Sequence, residues 1–203
     1  MPRTRKFLSV ILAVMMVISV FPITASAITS GGWTYSVTSE AEKTAQITGY
    51  SGSETNLKIP SIIDGYTITS IGNSAFEKNK TITSVVIPDS VTSLGRHMFY
   101  FCEALERVVI PEGVKTISYA AFMFCMKLTN VAIPASVTKI DDYAFDYCSN
   151  LDVIFFGGTK EQWKAITVVG EYNEIYLKNA TVYYECENDK FVSGTCGENA
   201  LWA

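Results

Sequence analysis

IPEGVKTISYAAFMFCMKLTNVA, residues 110–132, is followed without a gap by IPASVTKIDDYAFDYCSNLDVIF, residues 133–155. The two stretches have the same length and share a proline, a phenylalanine and a cysteine at the same places, so what stands at 110 recurs at 133. Working outward, Pro88, Pro111 and Pro134 keep that step, as do Phe76, Phe99, Phe122 and Phe145. So do Ile71, Leu94, Ile117 and Ile140; Ile82, Leu105, Leu128 and Leu151; and Val85, Val108, Val131 and Ile154. Five columns in one register define an internal repeat, and a period of this size means stacked supersecondary units. The first unit is longer: the step from Pro60 to Pro88 exceeds that from Pro88 to Pro111, which places a loop insertion around Asp64-Gly65-Tyr66.

Each unit reads as one coil. Leu105-Glu106-Arg107-Val108-Val109-Ile110 is rich in β-forming residues and stops at Pro111, which has no N–H to give a ladder. Strands from successive coils then form a parallel sheet with a spacing of about 4.8 Å. The remainder, such as Asp141 to Cys148, reads as a short helical turn or irregular return. A lone coil cannot bury enough apolar surface to offset the entropy of ordering it, so stability is collective and both ends need covers. The expected fold class is therefore an α/β repeat, a solenoid with a parallel β-sheet, short helical or irregular returns and β-containing end caps.

The repeated pattern IPxxVxxIxxxAFxxCxxLxxV, as it stands at 110–131 and 133–154, resembles the BspA-type leucine-rich repeats over residues 59–156, as four units. The flanks are similar to that family too. Gly32 to Val37, Ile47 to Tyr50 and Leu57 to Pro60 look like its opening hairpin, giving a β cap over 28–58. Phe155 to Trp163 looks like its exit. There Thr159 and Gln162 form a capping box for a short helix with Trp163 and Ile166 on its apolar face, and Asn179 to Tyr184 supplies a closing strand. The C-terminal cap thus spans 157–185. The tail 186–203 contains Ser193 to Trp202, which resembles the opening of a further module. What the resemblance implies is a secreted or cell-surface, noncatalytic protein for macromolecular recognition or adhesion. Its partner would be a protein or glycan on a host matrix or a neighbouring cell. The alternative is an accessory spacer in a longer secreted protein.

The N-terminus bears on compartment. Arg3, Arg5 and Lys6 precede an uncharged apolar run, Phe7 to Phe21, then Pro22 and the small residues Ala25-Ser26-Ala27. This is the pattern of a secretory signal peptide over 1–27, with cleavage after Ala27; the competing reading is an uncleaved anchor. Without those three basic groups, 13 Lys+Arg face 20 Asp+Glu, a net charge near −7. That balance disfavours nucleic acid as a partner, and the mature chain has no second apolar run to span a membrane.

Candidate chemistry is sparse. Cys102, Cys125 and Cys148 share one column, with Asn79 in that place in the first unit. A metal or redox site is one reading, but zinc sites use close C-x₂₋₄-C pairs; an inward structural ladder, one residue per coil, is the other. Cys186 and Cys196 flank a polar loop and are positioned to pair in an oxidising compartment. His97, the one histidine, has no nucleophile motif around it, and neither Asp141-Asp142 nor Glu185, Glu187 and Asp189 has calcium-loop spacing. No cofactor, metal or catalytic residue is assigned. The working surface is instead expected on the concave sheet face, where residues vary between coils. These are Thr83, Ser84 and Val86; Glu106, Arg107 and Val109; Thr129, Asn130 and Ala132; Asp152, Val153 and Phe155. Tyr100, Phe101, Tyr119, Phe124, Tyr143 and Tyr147 make a rival aromatic patch on the returns.

Overall fold

The computed structural model describes residues 26–186. The signal-peptide reading, but for its last two residues, and the tail beyond Cys186 lie outside them.

Along the chain, β1 (Ile28–Ser30), β2 (Trp33–Ser39) and β3 (Thr44–Tyr50) form an antiparallel meander at the N-terminus. Then follow β4 (Asn56–Lys58), β5 (Ile62–Ile63) and β6 (Tyr66–Ile71). Next are β7 (Ser84–Val86), β8 (Ser93–Leu94), β9 (Arg107–Val109) and β10 (Thr116–Ile117). β11 (Asn130–Ile133), β12 (Lys139–Ile140) and β13 (Val153–Phe156) complete the regular part. The end is built from α1 (Lys160–Ala165), β14 (Thr167–Val168), α2 (Glu171–Asn179) and β15 (Thr181–Tyr183).

One sheet runs in the order β4-β7-β9-β11-β13-β15, all parallel, with Leu57, Val85, Val108, Val131, Ile154 and Val182 side by side. A second line of short parallel pairings carries β3-β6-β8 and β10-β12-β14, aligning Ile47, Ile71 and Leu94, then Ile117, Ile140 and Val168. Among the described residues six coils therefore stack, two more than the sequence columns reveal. The end coils take a longer step, Leu57 to Val85 and Ile154 to Val182, so they drop out of the register that the columns keep. The extra residues of the second coil are the β5–β6 hairpin. Its turn, Asp64-Gly65, has φ of 50° and 83°, the double left-handed geometry of a two-residue hairpin.

Among the described residues the returns contain no helix; they are turns with a third hydrogen-bonded column. The amides of Phe76, Phe99 and Phe122 donate to the carbonyls of Met98, Ala121 and Ala144 of the next coil, at 2.9 Å each. Two residues per coil take left-handed backbone: Ser74, His97, Ala120 and Tyr143, and four positions on, Lys78, Phe101, Phe124 and Tyr147. None is glycine, and such a conformation costs about 1–2 kcal/mol per residue. The stacking offsets it, because this backbone aims alternate amides at the neighbouring coil.

Within the core the four phenylalanines form a continuous row. Phe76–Phe99, Phe99–Phe122 and Phe122–Phe145 have centroids 4.7, 5.8 and 5.3 Å apart and planes within 12° of parallel. All four are buried. Trp33 and Tyr50 of the meander cover Phe76 at one end. At the other end α2 supplies Asn173, fully buried. Its Oδ1 accepts from the amide of Phe145 at 2.9 Å, and its Nδ2 donates to the carbonyls of Asp141 and Val169 at 2.7 and 2.8 Å. The helix thus takes the place of the return in the sixth coil, between β14 and β15. The anticipated capping box opens α1, with Thr159 and Gln162 exchanging bonds.

Phe122→Ala is expected to lower unfolding free energy by about 3–5 kcal/mol, far more than Phe124→Ala on the outer row, as measured by urea denaturation. Asn173→Ala is expected to cost about 1–3 kcal/mol, since it strips bonds from a buried coil end, while the exposed Asn179→Ala changes little. Equal losses within either pair would contradict this packing.

Candidate binding face

The inward ladder is clearest at sulfur. Cys102, Cys125 and Cys148 are free and fully buried. Each thiol donates to a phenylalanine carbonyl of the preceding coil: Cys102 to Phe76 at 3.0 Å, Cys125 to Phe99 and Cys148 to Phe122 at 3.1 Å. Burial pushes the Cys102 thiol up to about 12, and burial likewise raises Cys125 and Cys148. These are protonated hydrogen-bond donors, not thiolates. In the first regular coil Asn79 replaces the sulfur and turns its Oδ1 to the amides of Thr81 and Ile82, both at 2.9 Å. Among the described residues no group of three or more metal-ligating side chains converges. Cys186 is disulfide-bonded; Cys196, the partner expected for it, lies outside the described residues.

Strand pairing turns the candidate face into rows. Ser84, Arg107, Asn130 and Val153 stand in register, and so do Val86, Val109, Ala132 and Phe155. Thr83, Glu106, Thr129 and Asp152 precede each strand, and their carbonyls and amides bridge the coils. Thr83 and Thr129 commit their hydroxyls to the carbonyls of Thr55 and Glu106. Ser84 donates to Asn56 at 2.7 Å. The rows continue where sequence columns did not reach: Asn56 and Lys58 extend them at one end, Thr181 and Tyr183 at the other. The alignment of Ile59-Pro60 with Ile87-Pro88 was the available signal for the first pair.

One expectation needs correction. Val109, Ala132 and Phe155 do not present open side chains; they are buried in a second apolar cluster with Cys186, edged by Val86 and Val153. Tyr183 stacks on Phe155 at 5.6 Å. The other nine positions retain some exposure, Asp152 the most.

The rival aromatics are partly self-satisfied. Phe101, Phe124 and Tyr147 stack face to face at 4.3 and 4.4 Å, so they offer edges rather than faces. Tyr119 and Tyr143 form a neighbouring line with His97 and Tyr172. A cavity of about 550 Å³ lies elsewhere, over the last coil, between Ile140, Trp163, Ile166, Leu177 and Val182.

Residues 45–172, more than half of the chain, match the BspA type leucine rich repeat region in six copies, the number of parallel strands in the main sheet. The chain belongs to the BspA-type leucine-rich repeat family. Among solved structures, this BspA-type chain is similar to a leucine rich cell surface protein from Faecalibacterium prausnitzii A2-165, at 34% identity and a TM-score of 0.60, over 77% of this chain and 42% of that one. It thus spans less than half of that protein's length. A leucine-rich repeat protein from Bacteroides capillosus matches at 34% identity and a TM-score of 0.57, over 64% of this chain and 98% of that one. The T. pallidum leucine rich repeat protein shares the fold at 24% identity, with a TM-score of 0.64, over 77% of this chain and 71% of that one. The curated proteins contain no match. Among the described residues no helix is long and apolar enough to cross a membrane.

Iodoacetamide is expected to leave Cys102, Cys125 and Cys148 unmodified in the native protein and to label all three in denaturant, as read by mass spectrometry. Cys102 moves from an ordinary value of 9.0 to about 12 on folding. Its contribution to stability is therefore complete below pH 9 and is lost as pH rises from 9 through about 12. Cys102→Ala should flatten that alkaline slope; an unchanged slope would remove the thiol as its source.

Proposed function

We propose that this protein is a secreted or cell-surface recognition module that binds a protein or glycan through the polar rows of its main sheet, with no catalytic step. The observation that carries the reading is the register of Ser84, Arg107 and Asn130 beside Thr83, Glu106 and Thr129. Charge, hydroxyl and amide groups stand about 4.8 Å apart on a backbone that the coils hold rigid. Binding then costs little ordering of the protein's own groups. The family's solved Faecalibacterium member is described as a cell surface protein, which supports an extracytoplasmic location, as does the N-terminal basic and apolar pattern.

A second reading has one observation in its favour: the chain covers only 42% of that surface protein. The stack would then be a spacer or accessory unit within a longer protein, and binding would belong to other parts of it.

An array of matrix proteins and glycans probed with this chain separates the two. Saturable binding is expected for the wild type, and the double charge reversal Glu106→Lys with Arg107→Glu should weaken it roughly tenfold or more while leaving thermal unfolding within a few degrees. Binding to nothing on the array would favour the spacer. Binding indifferent to the double reversal would move the interface off the sheet.

A further inference from the structure

Each coil of the stack is sealed by the next. Ile117 and Val131 stand beside Ile140 and Ile154, and these in turn beside Val168 and Val182. There the sealing stops: among the described residues β14 and β15 are outer strands of their sheets. Ile140 and Ile154 are fully buried, but Val168 and Val182 are only half-buried. The other end of the stack differs, since Trp33 and Tyr50 lie over Phe76. The apolar interior thus opens at the C-terminal end, and the cavity of about 550 Å³ is that opening.

Two helices frame it. α1, fixed at its start by Thr159 and Gln162, brings Trp163 and Ile166, and the Trp163 ring meets that of Phe156 at 5.2 Å. α2 is fixed by Asn173, and one turn later Leu177 is buried on the same face. Each helix also adds an exposed lysine to the lining, Lys164 from α1 and Lys178 from α2, and Glu174 is the one acid beside them. Glu174 is already paired, with Lys178 one turn away. Lys164 makes no ion pair among the described residues. A hydrocarbon-lined hollow therefore carries one uncompensated cation at its edge.

We infer that this cavity binds a small amphipathic carboxylate, with its hydrocarbon body in the end of the stack and its head at Lys164. The volume is that of a site for one small molecule. Ile140, Ile166, Val168, Leu177 and Val182 favour the removal of hydrocarbon from water, and their side chains hold no hydrogen-bonding group for a sugar. Two lysines against one glutamate select an anionic head over a cationic one. None of the lining residues belongs to the polar rows of the main sheet, so this site and the proposed recognition face stand or fall separately.

The test titrates decanoate, decyltrimethylammonium and decanol separately into the full-length chain, each below the concentration at which it aggregates, and follows methyl resonances. Decanoate is expected to saturate at one per chain and to shift Ile166, Val168, Leu177 and Val182. Ile62 in the N-terminal hairpin, 59% exposed, should stay fixed. The cationic amphiphile should bind roughly tenfold more weakly or worse, and Lys164→Glu should weaken decanoate by roughly tenfold while leaving decanol unchanged. Absence of a saturable shift with decanoate would overturn the inference. So would a cation bound as tightly as the anion, decanoate binding indifferent to Lys164→Glu, or shifts at Ile62 equal to those in the cavity, which would mark adsorption to any exposed hydrocarbon.

Discussion

Every coil of this protein completes its hydrogen bonds on the next one. The main sheet does so in the ordinary way, but the returns do it with backbone that would be unfavourable alone. Left-handed residues such as His97, Ala120 and Phe124 are tolerated only because they turn alternate amides toward the adjacent coil. That requirement explains why the phenylalanine and cysteine columns recur together. The stacked rings fix the spacing of the returns, and each thiol occupies a carbonyl of the preceding coil. A substitution in one coil is therefore felt by its neighbours, as nearest-neighbour coupling in repeat proteins demands.

A stack built this way has two ends with unmet amides and carbonyls. The N-terminal meander meets the aromatic row with Trp33 and Tyr50, and it is pinned to the turn of the β5–β6 hairpin where Tyr35 and Ser30 donate to Asp64. Burial, with the Asp64 carboxylate beside it, pushes the Tyr35 hydroxyl up to about 12. The C-terminal end is met by a different device, a helix that delivers one buried asparagine. The two ends share a lengthened step but not a structure, which is what distinct caps on a common repeat require.

Much of this was legible in the sequence because stacked columns are identical letters at a fixed step. Phe76, Phe99, Phe122 and Phe145 announced both the coil and its inward face. The terminal coils were hidden because their insertions break the step while their strands still pair. α2 was hidden because Glu171 to Asn179 mixes Tyr172 and Ile175 on the exposed side with Leu177 inward, so no clean apolar stripe marks it. The left-handed turns left no glycine signature, since hydrogen bonds between coils rather than residue type select them. On the candidate face, the positions that vary between coils flank the inward column, but Val109, Ala132 and Phe155 among them are buried. Cys186, which joins Val109, Ala132 and Phe155 in one cluster, comes from far along the chain, which no local pattern reports.

The account rests on returns that look irregular yet are locked coil to coil. Amide hydrogen exchange tests this directly at Phe99, Phe101, Phe122 and Phe124, whose N–H groups donate to the following coil. The prediction is exchange as slow as that of Val108 and Val131 in the sheet, governed by unfolding of the whole stack. Exchange of those four amides on the timescale of open surface loops, with the sheet still protected, would contradict it.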